Sequence, residues 1–529
     1  MALKGAMKST GLSNLRRCRM AQQRNILFIT IDQLRADCLI GGLAEHVDMP
    51  NMRAFMAEGV AFERNFSVAN PCGPSRASML TAQYGMNHRS VRNGTPLRHD
   101  TPSIATEMRK AGYVPMLFGY TDTSQDPRVF DKNDPAVKSY EYPMPGFHEV
   151  TEMRLETSFP WRSHLKKKGY EFESYWDVYK PVAANGGAPK LNDPALYAAQ
   201  DSDTAFLTDS FLDNMRGYAD QDWFAHLTYI RPHPPLVAPA PYNDMYDPAK
   251  LPLPTRDESL ADEMVKHPFL DAVDPSLAIA GTVLGFDYVA PTDENIQALR
   301  SVYLGLATEV DHHIGRVIQF LKDTDQYDTT LVVITADHGE LLGDNFGWGK
   351  LSVYDAAFQT PLMIRMPGLT NAGTRIGDFT ESIDVTPTIL DWIGVDIPNS
   401  MDGRSLLPIL NGATPDDWRS YSFSELDFGN SGAPTARQQA LGTTASTSCF
   451  CILRDERFNL VEFAADLPPL LFDRQGDGDT VNVADKPEYA QDMMRLTRQM
   501  LRHRMRNADH TLSMYEITAD GPKLSKRRR

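Results

Sequence analysis

Thr330 to Thr335 is an unbroken apolar and β-branched run, and it constrains the fold more tightly than any other stretch of the chain. A run of this kind, closing on Ala336-Asp337-His338-Gly339, has the pattern of a strand buried on both faces in a parallel sheet. Ile26 to Ile31 repeats the pattern and ends at Asp32-Gln33. Weaker strand patterns cover Tyr113 to Tyr120 and Trp223 to Ile230. Helical patterns cover Pro50 to Gly59, Ser75 to Tyr84 (after a Pro-Cys-Gly-Pro turn), Ile104 to Ala111 and Glu294 to Lys322. Helices alternating with buried strands predict an α/β sheet covered on both sides, and such sheets bind ligands beyond the carboxyl ends of their strands. Three predicted strands end there in polar groups: Asp32-Gln33, Tyr120 and Asp337-His338.

Two long stretches rich in proline and glycine, roughly Thr121 to Asn192 and Pro232 to Asp293, read as functional loops or binding walls. After Asp402-Gly403-Arg404-Ser405-Leu406-Leu407-Pro408 the pattern changes to short strands and one helix, Tyr489 to His503. The chain of 529 residues therefore divides, as an expectation, into a disordered basic leader (1–24), a catalytic domain (25–410), a small α+β subdomain (411–510) and a basic tail (511–529). Acidic residues outnumber basic ones 69 to 53, a net charge of -16 that opposes non-specific attraction to nucleic acid or anionic lipid. Any anionic substrate must be drawn by local charge. The five cysteines are scattered and do not read as a disulfide framework; with neither a signal peptide nor an apolar span in the sequence, the expected compartment is the cytoplasm.

The sharpest local signal is Cys72-Gly73-Pro74-Ser75-Arg76, followed by Leu80-Thr81. A lone buried cysteine is commonly an inert small hydrophobe, but this pentapeptide resembles the modification signature of type I sulfatases. In that family the cysteine is oxidised to formylglycine by a dedicated generating enzyme, and the arginine stays beside it. Ala82 stands where the family usually has glycine. A hydrated aldehyde is chemically useful: one hydroxyl of the geminal diol attacks phosphorus or sulfur, and the other later loses its proton and expels the esterified group by C–O cleavage. Arg76 would hold the diol and offset negative charge at a metal site.

Asp32, Gln33, Asp337 and His338 supply hard or borderline metal ligands at two strand ends, with the modified Cys72 as a fifth. Taken singly, a strand-end aspartate often caps a helix and a lone histidine is an ordinary polar residue. Sulfatases generally show Asp-Asp and Asp-Asn at these places; Gln33 and His338 depart from that pattern. A ring nitrogen in place of an amide oxygen shifts preference from calcium toward manganese, with zinc still open.

That departure, with Asn93, Tyr120, the Arg231-Pro232-His233-Pro234-Pro235 run and Lys350, makes the chain similar to the phosphonate monoester hydrolase and phosphodiesterase branch of the family. The resemblance runs from Asn25 to the C-terminal helix. It implies an alkaline-phosphatase-like α/β fold, with a large mixed, mainly parallel sheet sandwiched by helices and a smaller C-terminal α+β subdomain. It also implies a homo-oligomer, dimer or tetramer, and it places Asn93, Tyr120, His233 and Lys350 against substrate oxygens or the leaving group.

His233 is the first candidate for protonating the leaving oxygen, although the flanking prolines could equally rigidify a surface loop. Lys350 competes for that role or stabilises charge. Asp122 stands where the branch has threonine; it either points into the anion site or caps a turn. The loop Tyr120-Thr121-Asp122-Thr123-Ser124-Gln125 contains no lysine, so a cation-poor site is expected to favour singly charged phosphonate monoesters, phosphodiesters and sulfate monoesters over doubly charged phosphate monoesters. The expected activity is phosphonate monoester and phosphodiester hydrolysis with promiscuous sulfate ester hydrolysis. The alternatives are an arylsulfatase and a binding protein that has lost catalysis.

Overall fold

The computed structural model describes residues 24–183, 186–218, 221–271, 279–476 and 478–525. The expected leader lies outside the described residues, apart from Arg24.

Among the described residues nine strands come before residue 382: β1 (Asn25–Ile31), β2 (Val60–Phe66), β3 (Ala69–Asn70), β4 (Pro115–Gly119), β5 (His148–Glu152), β6 (Phe224–Tyr229), β7 (Thr330–Ala336), β8 (Leu362–Arg365) and β9 (Arg375–Glu381). All but β3 form one sheet in the order β5-β4-β6-β1-β7-β8-β2-β9. Within it β8 alone runs antiparallel to its neighbours, so the sheet is mixed and mainly parallel. Every residue of β1 and β7 is buried. Their side chains alternate between two cores: Leu27, Ile29, Val332 and Ile334 pack on one face with the helix Asp293–Asp323, while Ile26, Phe28, Leu331 and Val333 pack on the other with Val385 and Ile389 of the helix Val385–Trp392. Burial on both faces explains why these two strands read as continuous apolar runs.

Sequence patterning passes over two kinds of strand: the four-residue β8 and the later Leu470–Asp473, largely apolar and buried but too short to show a period, and those with a polar face. In β9 the first four residues are exposed or half-buried, as an edge strand allows, and in β2 Glu63 and Arg64 interrupt the apolar pattern.

A second sheet, in the order β13-β12-β11-β10-β3, takes β10 (Ser422–Asp427), β11 (Cys449–Arg454), β12 (Phe458–Phe463) and β13 (Leu470–Asp473) from the C-terminal third. Its last strand is β3, where Ala69 and Asn70 pair with Glu425 and Leu426. Strand pairing thus crosses the expected division at residue 410, and the C-terminal sheet is bonded to the chain two residues before Cys72. The helix Ala490–Arg506 packs on this sheet through Leu496 and Met500. The segment expected to be a basic tail carries a hairpin, β14 (Tyr515–Thr518) and β15 (Gly521–Leu524). Among the described residues no helix is long and apolar enough to cross a membrane.

Candidate active site

The parallel register sets Ile31 of β1 opposite Ala336 of β7. Asp32 and Asp337 therefore leave the sheet side by side at its carboxyl edge. The Gln33 N–H donates to Asp337 Oδ1 (3.1 Å), as does the His338 N–H (2.9 Å), so one turn shapes both strand ends.

Cys72 reaches this edge on the helix Cys72–Thr81. The sequence pattern predicts that helix from Ser75; it begins three residues earlier because Pro74 falls in the first turn, where a missing N–H costs no intrahelical bond. Ser75 ties the helix to β7 by donating to the Asp337 carbonyl (2.5 Å). The Gly73 N–H donates to Asn93 Oδ1 (2.9 Å), and a Cβ at Gly73 would lie 3.0 Å from that oxygen and 3.2 Å from the Asp122 carbonyl, so the loops of Asn93 and Asp122 close tightly on the motif.

Asp32, Cys72, Asp337 and His338 each offer one donor atom, all within 4.8 Å of one another and all buried. His338 Nε2 lies 3.2 Å from Cys72 Sγ and 3.7 Å from Asp32 Oδ1. Its Nδ1–H is held by the Gly339 carbonyl (3.0 Å), which fixes the tautomer and turns the Nε2 lone pair into the cluster. Burial, then Lys350, pushes the His338 ring down to about 3, so it stays neutral, as a metal ligand must be. Burial followed by Asp32 pushes Asp337 up to about 6. Burial would raise Asp32 as well, but His233, Arg76 and Lys350 outweigh it and hold that carboxyl below the usual range. Two carboxylates, a neutral imidazole and the position-72 side chain form a donor set that fits a divalent cation.

Arg76 braces the cluster and is itself fully buried. Its Nε donates to Asp337 Oδ2 (2.9 Å), Nη2 to Asp32 Oδ2 (3.1 Å) and to the Tyr120 hydroxyl (2.9 Å), and Nη1 to Thr228 Oγ1 (2.7 Å). The guanidinium also stacks on the Tyr120 ring at 4.1 Å. The Tyr120 hydroxyl donates to Asp32 Oδ2, so in this arrangement it orients a carboxylate. Asp32 keeps Oδ1 for the cluster because Oδ2 is taken by Arg76 and Tyr120.

On the opposite side Lys350 Nζ lies 2.6 Å from Gln33 Oε1 and 2.7 Å from His233 Nε2. His233 Nδ1–H donates to the Pro234 carbonyl (2.5 Å), leaving Nε2 to accept from the lysine. Burial, then Lys350, pushes His233 down to about 3. The proton of this pair therefore sits on Lys350, which burial would lower but Cys72, Asp32 and Asp337 raise. Gln33 gives its amide N–H to Glu340.

Asp122 turns inward. It is buried, its backbone is left-handed (φ 48°), Oδ2 stands 4.0 Å from Arg76 Nε, and Oδ1 has no hydrogen-bond partner. Burial pushes its carboxyl well up; Arg76 opposes the shift, while Glu141, Asp32 and Asp337 add to it.

Every sequence-selected residue thus lies at this edge. Sequence reasoning missed Glu340, Thr228 and, although Ser75 stands in the motif, the tie of its hydroxyl to Asp337. Glu340 accepts from Leu342 N (2.9 Å) and Gly349 N (2.6 Å) and so shapes the loop carrying Lys350; its place just after His338-Gly339 was a usable signal. Thr228, inside a buried strand, gave none.

The sulfatase family profile matches residues 24–395, and that of the N-sulphoglucosamine sulphohydrolase C-terminal region matches 343–506. The chain is 36% identical over 511 residues to the multifunctional alkaline phosphatase superfamily protein PehA of Trinickia caryophylli, covering 94% of this chain and 98% of that one. Among solved structures it is similar to the phosphonate monoester hydrolase SpPMH from Silicibacter pomeroyi, with 64% identity, a TM-score of 0.94 and coverage of 96% of this chain and 100% of that one. The phosphonate monoester hydrolase of Agrobacterium radiobacter aligns with 36% identity, a TM-score of 0.90 and the same coverage.

Proposed function

The chain belongs to the sulfatase family and is a hydrolase, and from that premise we propose that it cleaves phosphonate monoesters and phosphodiesters, with sulfate monoesters as secondary substrates, through a formylglycine formed at position 72. The observation that carries this reading is the buried meeting of Cys72 with Asp32, Asp337 and His338 beside Arg76. Burial, then Asp32, pushes the Cys72 thiol well up, so the side chain as encoded is held as a weakly nucleophilic thiol. Conversion by a formylglycine-generating enzyme replaces it with a diol whose hydroxyl attacks phosphorus or sulfur and displaces the alcohol; the second hydroxyl then gives up its proton and releases the phosphonate, phosphate or sulfate by C–O cleavage, restoring the aldehyde.

A divalent cation, for which manganese is our choice, would be held by Asp32, Asp337, His338 and the position-72 side chain with Gln33 adjacent, and it supplies Lewis-acid polarisation of the reacting oxygens. Arg76 keeps both carboxylates oriented. Lys350 holds a proton at Nζ on the leaving-group side, with His233 Nε2 as its partner. Asn93 accepts the Gly73 N–H at Oδ1, which positions the start of the motif helix, and would meet a substrate oxygen through Nδ2. Mass spectrometry of the peptide spanning Cys72, with metal analysis of the same sample and kcat/KM on matched aryl phosphonate, phosphodiester and sulfate substrates, tests the proposal. A sulfate ester as the best substrate by far would make the protein an arylsulfatase. Fully converted, metal-loaded but inactive protein would make it a binding protein.

The charge class follows from Asp122. Burial is the chief cause of the upward push on its carboxyl, and Glu141, Asp32 and Asp337 add to it against Arg76; a doubly charged phosphate monoester entering beside the same carboxylates is at a disadvantage to a singly charged ester. If substrate and metal hold the carboxyl in its ionised form against that push, Asp122→Thr is expected to raise the ratio of phosphate monoester to phosphodiester activity about tenfold, equivalent to about 1.4 kcal/mol. An unchanged ratio would show that the carboxyl carries no charge during the reaction.

We also propose that the chain is a homo-oligomer, dimer or tetramer, in a reducing cytoplasm. Support comes from exposed apolar residues along one C-terminal stretch: Met494, Leu501 and Met505 on the helix Ala490–Arg506, then Leu512 and Ile517. Sedimentation should give an oligomer, and replacing Leu501, Met505 and Ile517 with serine should give monomers.

A further inference from the structure

A cleft of about 520 Å³ begins at the reaction centre and ends on the C-terminal sheet. Its inner end is lined by Pro71, Asn93 and Lys350, and its outer wall by Trp348, Phe428 and Arg437. The two aromatic side chains are mostly packed into the wall, and with Pro71 and Leu351 they give the cleft an apolar lining; its volume suits a small-molecule arm.

Arg437, from the short helix Ala436–Ala440, is the unusual member. Its guanidinium stacks on the Phe269 ring at 4.0 Å, and Nη1 donates to the Leu351 carbonyl (3.0 Å). Its Nε is enclosed and without a hydrogen-bond partner, and among the described residues no carboxylate pairs with it. Burial with no opposing charge pushes it down to about 10. The residue as a whole is half-buried, so its guanidinium is reachable from the cleft, and a ligand anion that pairs with it meets a charge that no carboxylate among the described residues satisfies. Arg92, on the same cleft, gives Nη1 to the Gly429 carbonyl (2.7 Å) and adds a second positive charge. The acid of the cleft, Asp427, stands 3.8 Å from Arg89.

We infer that this cleft is the subsite for the leaving alcohol, and that it selects esters whose alcohol has a flat apolar body with an anionic group, carboxylate or phosphate, at its far end, held by Arg437. The inference rests on the hydrolase reading above, because Pro71 and Lys350 connect the cleft to the bond being broken. The anion is separate from the reacting ester, so the substrate as a whole is charged at two places while the reaction centre still meets a singly charged group.

The test uses metal-loaded, formylglycine-containing protein and three methylphosphonate monoesters. One is the 4-nitrophenyl ester; the other two are esters of 3-(4-hydroxyphenyl)propanoate, as the free carboxylate and as its primary amide. Wild-type protein should favour the carboxylate over the amide by about tenfold in kcat/KM, mostly through KM. Arg437→Gln should bring that ratio close to one, and Arg437→Lys should keep part of it. The phenol carrying a free phosphate in place of the carboxylate, tested as a competitive inhibitor, separates the two anion sources. An arginine that only braces the Leu351 carbonyl would lower all substrates alike and leave the ratio intact, which would overturn the inference. Equal wild-type rates on carboxylate and amide would also overturn it, even were Arg437→Gln unable to fold. Failure on all three esters, with full conversion and metal, would refute the hydrolase reading instead.

Discussion

Cys72→Ala is expected to lower turnover on every ester substrate by at least about three orders of magnitude. The substitution removes the covalent route and leaves Arg76, Lys350 and the strand-end ligands in place, so substrate binding should survive better than kcat. Position 72 is closed in at the head of its helix and touches His338 and Asp32, so alanine leaves a small gap without opening the sheet. The check is paired: kcat of the variant, and wild-type kcat plotted against the fraction of Cys72 converted in preparations of differing conversion. A line through the origin is the expected plot. Full activity in wild-type protein whose Cys72 is still a thiol would refute the assignment.

Removing the metal is the second large effect. Chelation should abolish activity, and manganese should restore it at least as well as calcium. His338→Ala should lower bound metal and reduce turnover by about a hundredfold or more, because the ligand that distinguishes this donor set is gone. Stability gives a readout that does not depend on catalysis. A cation that binds only the folded protein stabilises it by about 2.7 kcal/mol at a hundred times its Kd, so wild-type Tm should fall on chelation and the variant's should fall less. Normal metal content with normal turnover in both His338→Ala and Asp337→Ala would mean that this strand end is not the metal site.

Much of the site is legible in the sequence because its residues follow strands of an obvious kind. A strand buried on both faces must be apolar at every position, so Ile26 to Ile31 and Thr330 to Thr335 stand out, and the polar residues after them mark the sheet edge. The motif around Cys72 is equally local. The edge strand β9 and the interrupted β2 escaped notice since half of their positions face water or other polar groups. The supporting residue Thr228 escaped because a hydroxyl on a buried strand has no local pattern, and the bond of Ser75 to Asp337 escaped, though Ser75 stands in the motif, because its partner lies far away in the chain.

The sequence by itself determined the fold class, the family resemblance and the list of chemical groups, since each depends on residue type at short range. Only the tertiary structure decided how those groups meet. The parallel register of β1 and β7 sets Asp32 beside Asp337; the turn at Asp122 aims its carboxyl at Arg76; and the Gly339 carbonyl fixes which His338 nitrogen faces Cys72. The cleft depends even more on long-range packing. Pro71 and Arg437 line one cavity because β3 joins the C-terminal sheet, a pairing set by backbone hydrogen bonds between distant segments, which no short window of residues encodes.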